Sequence, residues 1–318
     1  VSARKPLGWG AFALQEWVPG DHITVVRNPY YFQASAGLPR VDVVQFRFIA
    51  DAVRLGEELR AGRCDVVTHE AADGVLAALP EESAEVRTVS TYDARWELLA
   101  FGISPALGYD RPDFFEDVRV RQAIARCIDR ERIAAQVAGP MGRVSHSFLP
   151  PSHPLYAGDA LTIWEHDGAA GQQLLAEAGW YDEDGDGVRE SHTIPGIADG
   201  TPFTVTYHTT RTPGHLQIAE LIQADLKACG IQVDLAPLSG DEMFVVGAEG
   251  VLFGRRFDLA QFSWRAVPDP ACDLFLSEQM PTPGGWGRPN VVGFLDDAYD
   301  MACLSALGAL PGSAAYAS

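Results

Sequence analysis

Polar and aromatic side chains with binding chemistry follow two predicted strands of this sequence. One strand begins at Phe203 and runs into Tyr207-His208-Thr209-Thr210-Arg211, and another runs into Ser263-Trp264-Arg265. Ligands of open α/β sheets bind beyond the carboxyl ends of the strands. A guanidinium can pair with a carboxylate through two hydrogen bonds, and an indole can stack on an apolar group. We therefore predict that the ligand-binding residues are Tyr207, His208, Arg211, Trp264, Arg265 and Asp269.

Several of these residues also have a purely structural interpretation, which the sequence leaves open. Arg211 could be a solvent-exposed surface arginine, and Trp264 could be a core aromatic at the edge of a cleft. Asp269 stands between two prolines, where a carboxylate commonly forms a turn or caps a helix.

An acidic turn matches the first half of a calcium-binding loop. Asp182, Asp184 and Asp186 occupy positions 1, 3 and 5, and Gly187 occupies position 6. Position 12 is Thr193 instead of the glutamate that completes the coordination of calcium. We therefore predict no metal and no cofactor and interpret the segment as an acidic surface turn, with the three aspartates as a weak metal site in the alternative.

Common catalytic and nucleotide-binding motifs are missing from the sequence. It contains no G-x-S-x-G, no P-loop, no H-E-x-x-H and no dinucleotide fingerprint. Its 8 histidines include no pair spaced i, i+4. We therefore predict that the chain is not an enzyme, although catalytic groups need not be close in sequence.

Composition restricts the partners of the chain. The 318 residues include 24 Lys+Arg and 43 Asp+Glu, which gives a formal net charge of −19. Such acidity argues against nucleic acid and anionic membranes as partners. No apolar run approaches the ~18 residues of a membrane-spanning helix. The length suggests about two domains of ~150 residues each.

Hydrophobic periodicity predicts the elements that would hold the candidate residues. Apolar residues alternate at 203–207 and 231–235, on either side of an amphipathic helix at 214–229. Such a strand–helix–strand unit predicts a parallel pair. A helix near 241–248 and a strand at 257–262 repeat the unit. Upstream we predict a helix at 51–59 capped by Asp51, and strands at 23–28, 44–48, 64–68, 86–92 and 96–103.

The segment FFEDVRVRQAIARCIDRERI (114–133) predicts an amphipathic helix followed by a second helix capped by Asp129. Its pattern resembles the signature helix of the family 5 solute-binding proteins, which deliver peptides, nickel or opines to ABC importers. Five further blocks, at 7–32, 38–67, 171–190, 219–235 and 256–270, resemble family segments in the family's order. Trp9 and Gly102 depart from the usual Thr and Asn.

The resemblance implies an α/β fold with lobes of the type II periplasmic binding proteins, in which mixed and parallel sheets are flanked by helices. Residues 1–95 would be the remainder of lobe I, and residues 96–318 would form a ligand-binding domain of the lobe III type, truncated at its C-terminus. Both ends of the chain fall inside the family pattern. We therefore interpret the chain as a fragment of a longer precursor whose signal segment lies outside it.

The resemblance also implies a function. The protein would be the monomeric receptor subunit of an ABC importer, outside the cell membrane as a periplasmic or lipid-anchored protein. It would bind a peptide or another small solute in an interlobe cleft and dock on the ABC permease subunits. A periplasmic chaperone-like or structural protein on the same fold is the alternative, and an enzyme comes third.

Two residues bear on the ligand that the resemblance implies. Arg211 lies near the place where peptide-binding relatives put a basic residue for the ligand carboxylate. Such relatives commonly offer a carboxylate just after the tryptophan that matches Trp264, where this chain has Arg265, Ala266 and Val267. A buried ammonium without a carboxylate is costly, so we predict that the ligand is not a dipeptide held by its free amino terminus.

Five cysteines, at 64, 127, 229, 272 and 303, show no zinc-binding spacing. Cys127 and Cys229 lie on apolar helix faces, and we predict that both are small buried hydrophobes. Export permits disulfides, and Cys272 with Cys303 is our candidate pair. Cys64 would need a partner elsewhere.

Overall fold

A computed structural model of the chain describes residues 6–67, 87, 89, 95–106, 108–139, 142–151, 153, 155–265, 271–310 and 312–313. The chain divides into two compact units, Val1–Thr91 and Tyr92–Ser318. The assignment of these units to lobes I and III stays a prediction. Among the described residues, none of the helices combines the length and apolarity needed to cross a membrane.

The described part of the first unit contains an antiparallel sheet, a short 3-10 turn (Ala34–Ala36) and an α-helix. Its strands β1 (Phe12–Val18), β2 (His22–Arg27) and β3 (Val43–Arg47) lie in the order β1-β2-β3. Helix α1 (Ala52–Arg60) begins after Asp51, whose carboxylate accepts a backbone hydrogen bond from the first turn, as the sequence predicts.

Glu58 connects α1 to strand β3 through Arg47 and to the turn that follows the helix through Arg63. Its Oε2 lies 3.0 Å from Nε of Arg63 and 2.8 Å from Nη1 of Arg47. Hydrogen bonds from Arg63 and then Arg47 lower the pKa of Glu58 to about 2. The carboxylate therefore stays ionised in the first unit except in strong acid.

Two strands predicted in this unit have different outcomes. The strand predicted at 64–68 is wrong over residues 64–67, which form no strand, and Val66 is 78% exposed. An exposed valine cannot hold the segment against a core. The strand predicted at 86–92 lies outside the described residues, except for positions 87 and 89.

The second unit is built on a mixed four-stranded sheet with the order β4-β9-β7-β8. Strand β7 is parallel to β8 and to β9, which confirms the predicted parallel pair, whereas β4 is antiparallel to β9. Two short strands, β5 and β6, form a separate antiparallel ribbon. The strands are β4 (Arg95–Phe101), β5 (Trp180–Tyr181), β6 (Glu190–Ser191), β7 (Thr204–Thr210), β8 (Gln232–Leu238) and β9 (Leu259–Arg265).

The helices of this unit begin largely where the sequence places capping residues. Asp117, Asp129, Asp167 and Asp296 each accept a hydrogen bond from a backbone N–H of the following first turn. The helices are α2 (Val118–Cys127), α3 (Arg130–Ala138), α4 (Gly168–Glu177), α5 (Pro213–Ala228), α6 (Gly240–Met243) and α7 (Asp297–Gly308). Short 3-10 turns occupy Gly158–Ala160, Ala271–Phe275 and Ser277–Gln279.

Two predicted elements near the end of the sheet have different bounds. The helix predicted at 241–248 is only the single turn α6, and Gly247 has a φ of 148°, outside the helical range. Strand β9 begins at Leu259 and continues to Arg265. Trp264 and Arg265 therefore belong to the strand itself and do not follow it.

The two faces of the four-stranded sheet bury separate hydrophobic cores. On one face, here called the helical face, Val205, Tyr207 and Leu259 pack with residues of α2 and α5. On the opposite face, Ala260 and Phe262 pack with residues between α6 and β9 and beyond β9. Because side chains alternate along a strand, each residue of the sheet can be assigned to one of these faces.

Two disulfides hold the second unit. The prediction that Cys127 and Cys229 are unbonded hydrophobes is wrong, because α2 and α5 end side by side and bring their Cα atoms within 6.3 Å, so that a disulfide forms. A disulfide also joins Cys272 to Cys303, the pair named from the sequence, with Cα atoms 5.7 Å apart. Cys64 is a free cysteine.

The amino end of β9 is fixed to the chain after β4. The N–H of Gly102 donates to the carbonyl of Asp258 at 2.8 Å, and a Cβ at this position would lie 2.1 Å from the carbonyl oxygen of Phe257. A side chain such as the Asn that the resemblance would place here would not fit. The Nε of Arg111 lies 3.0 Å from Oδ1 of Asp258, and both side chains are buried. Burial raises the pKa of Asp258.

Candidate ligand-binding site

The carboxyl ends of the three parallel strands lie at one edge of the sheet. These ends are Thr210 of β7, Leu238 of β8 and Arg265 of β9. Because β4 is antiparallel, its first residue, Arg95, pairs with Arg265 at the same edge. Side chains of the first residues of β4 are therefore available here, together with the last residues of β9.

On the helical face of this edge, Glu97 receives hydrogen bonds from two neutral donors of β9. Ser263, which lies directly opposite Glu97, donates its hydroxyl to Oε2 at 2.7 Å. Gln261 donates its amide Nε2 to Oε1 at 2.8 Å. The carboxylate therefore has one neutral donor on each of its oxygens.

Buried residues of the sheet fix the orientation of the Gln261 amide. Its Oε1 accepts hydrogen bonds from the hydroxyl of Tyr207 and from Oγ1 of Thr209, both at 2.9 Å. All three residues are at most 1% exposed. Since the amide oxygen is occupied by two donors, the amide nitrogen must point toward Glu97. Burial raises the pKa of Tyr207 well above its ordinary value, so its hydroxyl keeps its proton.

His215 connects Glu97 to the first turn of α5. Its Nε2 lies 3.2 Å from Oε1 of Glu97, and its Nδ1 shares a 2.6 Å hydrogen bond with Oγ1 of Thr210. The side chains of His215 and Glu97 are 25% and 34% exposed, so the pair lies at the surface of the edge. Burial alone would raise the pKa of Glu97, but hydrogen bonds from His215, Ser263 and Gln261 outweigh it and lower this pKa.

Two arginines lie at the outer end of the same face. Arg95 and Arg265 are directly opposite each other in the β4–β9 ladder, and both are exposed. Like charges at opposed positions destabilise a sheet. The helical face of the edge thus presents a carboxylate and, two residues further out, a pair of cations.

Aromatic side chains line the opposite face of the edge. Trp264 pairs with Trp96 across the strands, and its ring lies edge-on to Phe262 with centroids 5.6 Å apart. Phe244, which is 38% exposed, lies edge-on to the same Phe262 at 6.4 Å. These rings provide a partly exposed apolar surface on which an apolar group could pack.

The structure does not bring the predicted ligand-binding residues together on one face. The prediction that Tyr207 binds the ligand is wrong, because this residue is fully buried and supports Gln261 instead of facing a solute. His208 lies on the opposite face of β7 and is half-buried, and burial lowers its pKa. Arg211 is exposed, 3.4 Å from Glu242. Asp269 lies outside the described residues.

Sequence reasoning missed the three residues that connect the site, Glu97, Gln261 and His215. A signal for the first two exists, because each interrupts an otherwise largely apolar strand, WELLAF and LAQFSW. A polar residue in a buried strand needs a partner. The partners could not be named, because they come from strands 164 residues apart in sequence.

The metal candidate has a different set of carboxylates from the predicted one. Asp182, Asp184 and Glu190 place ligand oxygens within 4.8 Å of one another. The predicted ligand Asp186 instead accepts a 2.7 Å hydrogen bond from the N–H of Val188. Oxygens of Asp182 also accept backbone hydrogen bonds within the turn. These contacts fit the predicted acidic surface turn.

The fold is that of the type II periplasmic binding proteins, as the sequence predicts. It is similar to the oligopeptide-binding protein AppA from Bacillus subtilis in complex with a nonapeptide, with a TM-score of 0.64, 26% identity and coverage of 95% of this chain and 55% of that chain. Lactococcal OppA complexed with an endogenous peptide gives a TM-score of 0.74 at 18% identity, with 95% and 54% coverage. NikZ from Campylobacter jejuni in complex with Ni(L-His) gives a TM-score of 0.71 at 16% identity, with coverage of 98% of this chain and 57% of that chain. The last two support the fold alone.

The chain belongs to the bacterial extracellular solute-binding proteins of family 5, whose profile, described as family 5 Middle, matches residues 2–280. It is 30% identical over 232 residues to the oligopeptide-binding protein AppA of Bacillus subtilis, covering 72% of this chain and 39% of AppA. It is 25% identical over 303 residues to di/tripeptide-binding protein 2 of Pseudomonas aeruginosa, covering 94% and 50%. The chain thus spans half or less of the length of these relatives.

Proposed function

We propose that this chain is part of the solute receptor of an ABC importer and works outside the cell membrane. It would hold a peptide or another small solute at the carboxyl edge of the four-stranded sheet and deliver it to permease subunits. The observation that carries the proposal is the partly exposed carboxylate of Glu97, held by the buried Gln261 at this edge. Family membership and the peptide-binding relatives support the same function.

The two faces of the edge suit an amphipathic solute. A peptide combines charged termini with apolar side chains. The charged groups could pair with Glu97 and with the arginines Arg95 and Arg265, while an apolar side chain could pack on Trp264 and Phe244. Such a site needs no covalent chemistry, since complementary contacts are enough to capture a solute.

Native mass spectrometry of the protein isolated from its host tests the proposal. We expect a population with an added mass that tandem spectrometry identifies as peptide or another small solute. The variant Trp264→Ala should reduce this population, whereas Tyr181→Ala, which alters a partly exposed aromatic of the ribbon, should not. Isolation with bound unfolded chains and no small solute would favour the chaperone-like alternative, and conversion of an added peptide would favour an enzyme.

A further inference from the structure

We infer that Glu97 forms the subsite for a primary ammonium group of the solute, and that this group competes with His215 for the carboxylate. The inference rests on the proposed function and names the chemistry of one part of the solute. It differs from the sequence-based prediction, which found no carboxylate beside Trp264 because it considered only the residues that follow along the chain. The register of β4 on β9 places Glu97 opposite Ser263, the residue next to Trp264.

The partners of Glu97 differ in how firmly they are held. Ser263 and Gln261 belong to the sheet, and Gln261 is fixed by Tyr207 and Thr209 inside the core. His215 comes from the first turn of α5 and is a quarter exposed. A carboxylate offers about four lone-pair directions, so the two sheet donors leave room for a stronger donor. His215 is the partner that a solute can replace.

The support behind Glu97 is more extensive than a surface carboxylate requires. Three residues at most 1% exposed, Tyr207, Thr209 and Gln261, form a hydrogen-bond chain that ends on a charge at the surface. A rigid, prearranged charge lowers the ordering cost of capturing an oppositely charged group. This arrangement is therefore typical of a binding group and not of a solvated side chain.

The geometry favours ammonium over guanidinium. A guanidinium binds a carboxylate best when both oxygens are free for parallel hydrogen bonds. Here Ser263 occupies Oε2 and Gln261 occupies Oε1. An ammonium is a compact point charge and needs only one open direction. Arg265, which was expected to repel such a group, lies opposite Arg95, two residues further out than Ser263.

The inference is tested by measuring the binding of three tripeptide libraries to the protein isolated from its host. Endogenous solute is first removed by partial unfolding and refolding. The first library has free amino termini and no lysine, the second is N-acetylated and contains lysine, and the third is N-acetylated without lysine. Calorimetry should show binding of the first or the second library, which identifies the ammonium as terminal or side-chain. The third should bind at least about tenfold more weakly, the usual effect of losing a charged hydrogen bond.

Variants separate the subsite from the proposed function. Glu97→Gln keeps the shape and should lose at least about tenfold affinity for the preferred library, whereas Glu249→Gln removes an equal charge from an exposed position and should change nothing. His215→Asn should bind equally well or more tightly, because the competitor is gone. Equal binding of all three libraries, or loss of binding in His215→Asn with its melting temperature unchanged, would overturn the subsite alone. Absence of binding by every library would overturn the subsite, whereas the proposed function fails only if native mass spectrometry also finds no bound small solute.

Discussion

Removing the disulfide between Cys127 and Cys229 should destabilise the second unit more than any other cysteine change. The two residues are 102 positions apart, so the bond closes a long loop of the unfolded chain. The chain-entropy relation gives about 4.7 kcal/mol for a loop of roughly 100 residues. Both cysteines are buried in the core, so alanine replacements add a packing loss of about 1 kcal/mol. Adding the two losses, we expect the double variant Cys127→Ala/Cys229→Ala to lose about 5–6 kcal/mol.

Urea unfolding followed by tryptophan fluorescence measures this loss, with a second probe to test for two-state behaviour. The double variant Cys272→Ala/Cys303→Ala is the matched control, since its bond spans 31 positions and the same relation gives about 3.7 kcal/mol. Cys64→Ala, which alters the free cysteine, should leave the midpoint within experimental error.

A thiol titration in denaturant without reductant provides an independent check. The structure pairs four of the five cysteines, so one thiol per chain should react. Three or five reactive thiols in protein purified under oxidising conditions would refute the pairing. If the thiol titration shows the bond in the wild type but the double variant is equally stable, the entropic argument is refuted.

Three further predictions concern single side chains. Gln261→Leu removes the amide between Glu97 and the buried hydroxyls, and we expect a loss of about 3–5 kcal/mol in urea unfolding, because several buried partners lose their hydrogen bonds. Arg111→Met leaves Asp258 buried without its cation, and the same assay should show a loss of about 3–5 kcal/mol. Glu58, whose folded pKa is lowered to about 2 from 4.5, stabilises the first unit above pH 4.5, and this stabilisation disappears as the pH falls through 2. The difference in free energy of unfolding between wild type and Glu58→Gln, measured by circular dichroism, should therefore shrink as the pH falls from 4.5 to 2. An unchanged difference at pH 2 would contradict the assignment.

Local elements were largely predictable from the sequence because their signals are local. The periodicity of 114–133 predicted α2 and α3, and the helix between two alternating segments predicted the parallel pair of β7 and β8. Aspartates in the correct position predicted helix starts at Asp51 and Asp129. The prediction of a helix near 241–248 failed because the apolar run continues to Val246, whereas α6 ends at Met243 and the φ of 148° at Gly247 lies outside the helical range.

The site was harder to predict because its geometry depends on pairings between distant segments. Side chains on one strand alternate between two faces, so the run from Tyr207 to Arg211 could not form a single surface. The position of β9 between β4 and β7 is what brings Glu97 beside Gln261. No periodicity within β4 or β9 specifies that these strands are neighbours, or in which register they pair.

The register of β4 on β9 also explains why one edge can offer two kinds of contact. An antiparallel neighbour begins where β9 ends, so its first residues add a second row of side chains to the carboxyl edge. Alternation then places Glu97 and Arg95 on the helical face, and Trp96 on the other. A shift of this register by one residue would exchange the faces and put the carboxylate against the aromatic core. The buried Arg111–Asp258 pair and the close approach at Gly102, at the other end of the same two strands, oppose such a shift, so residues far from the candidate site determine which groups face the solute.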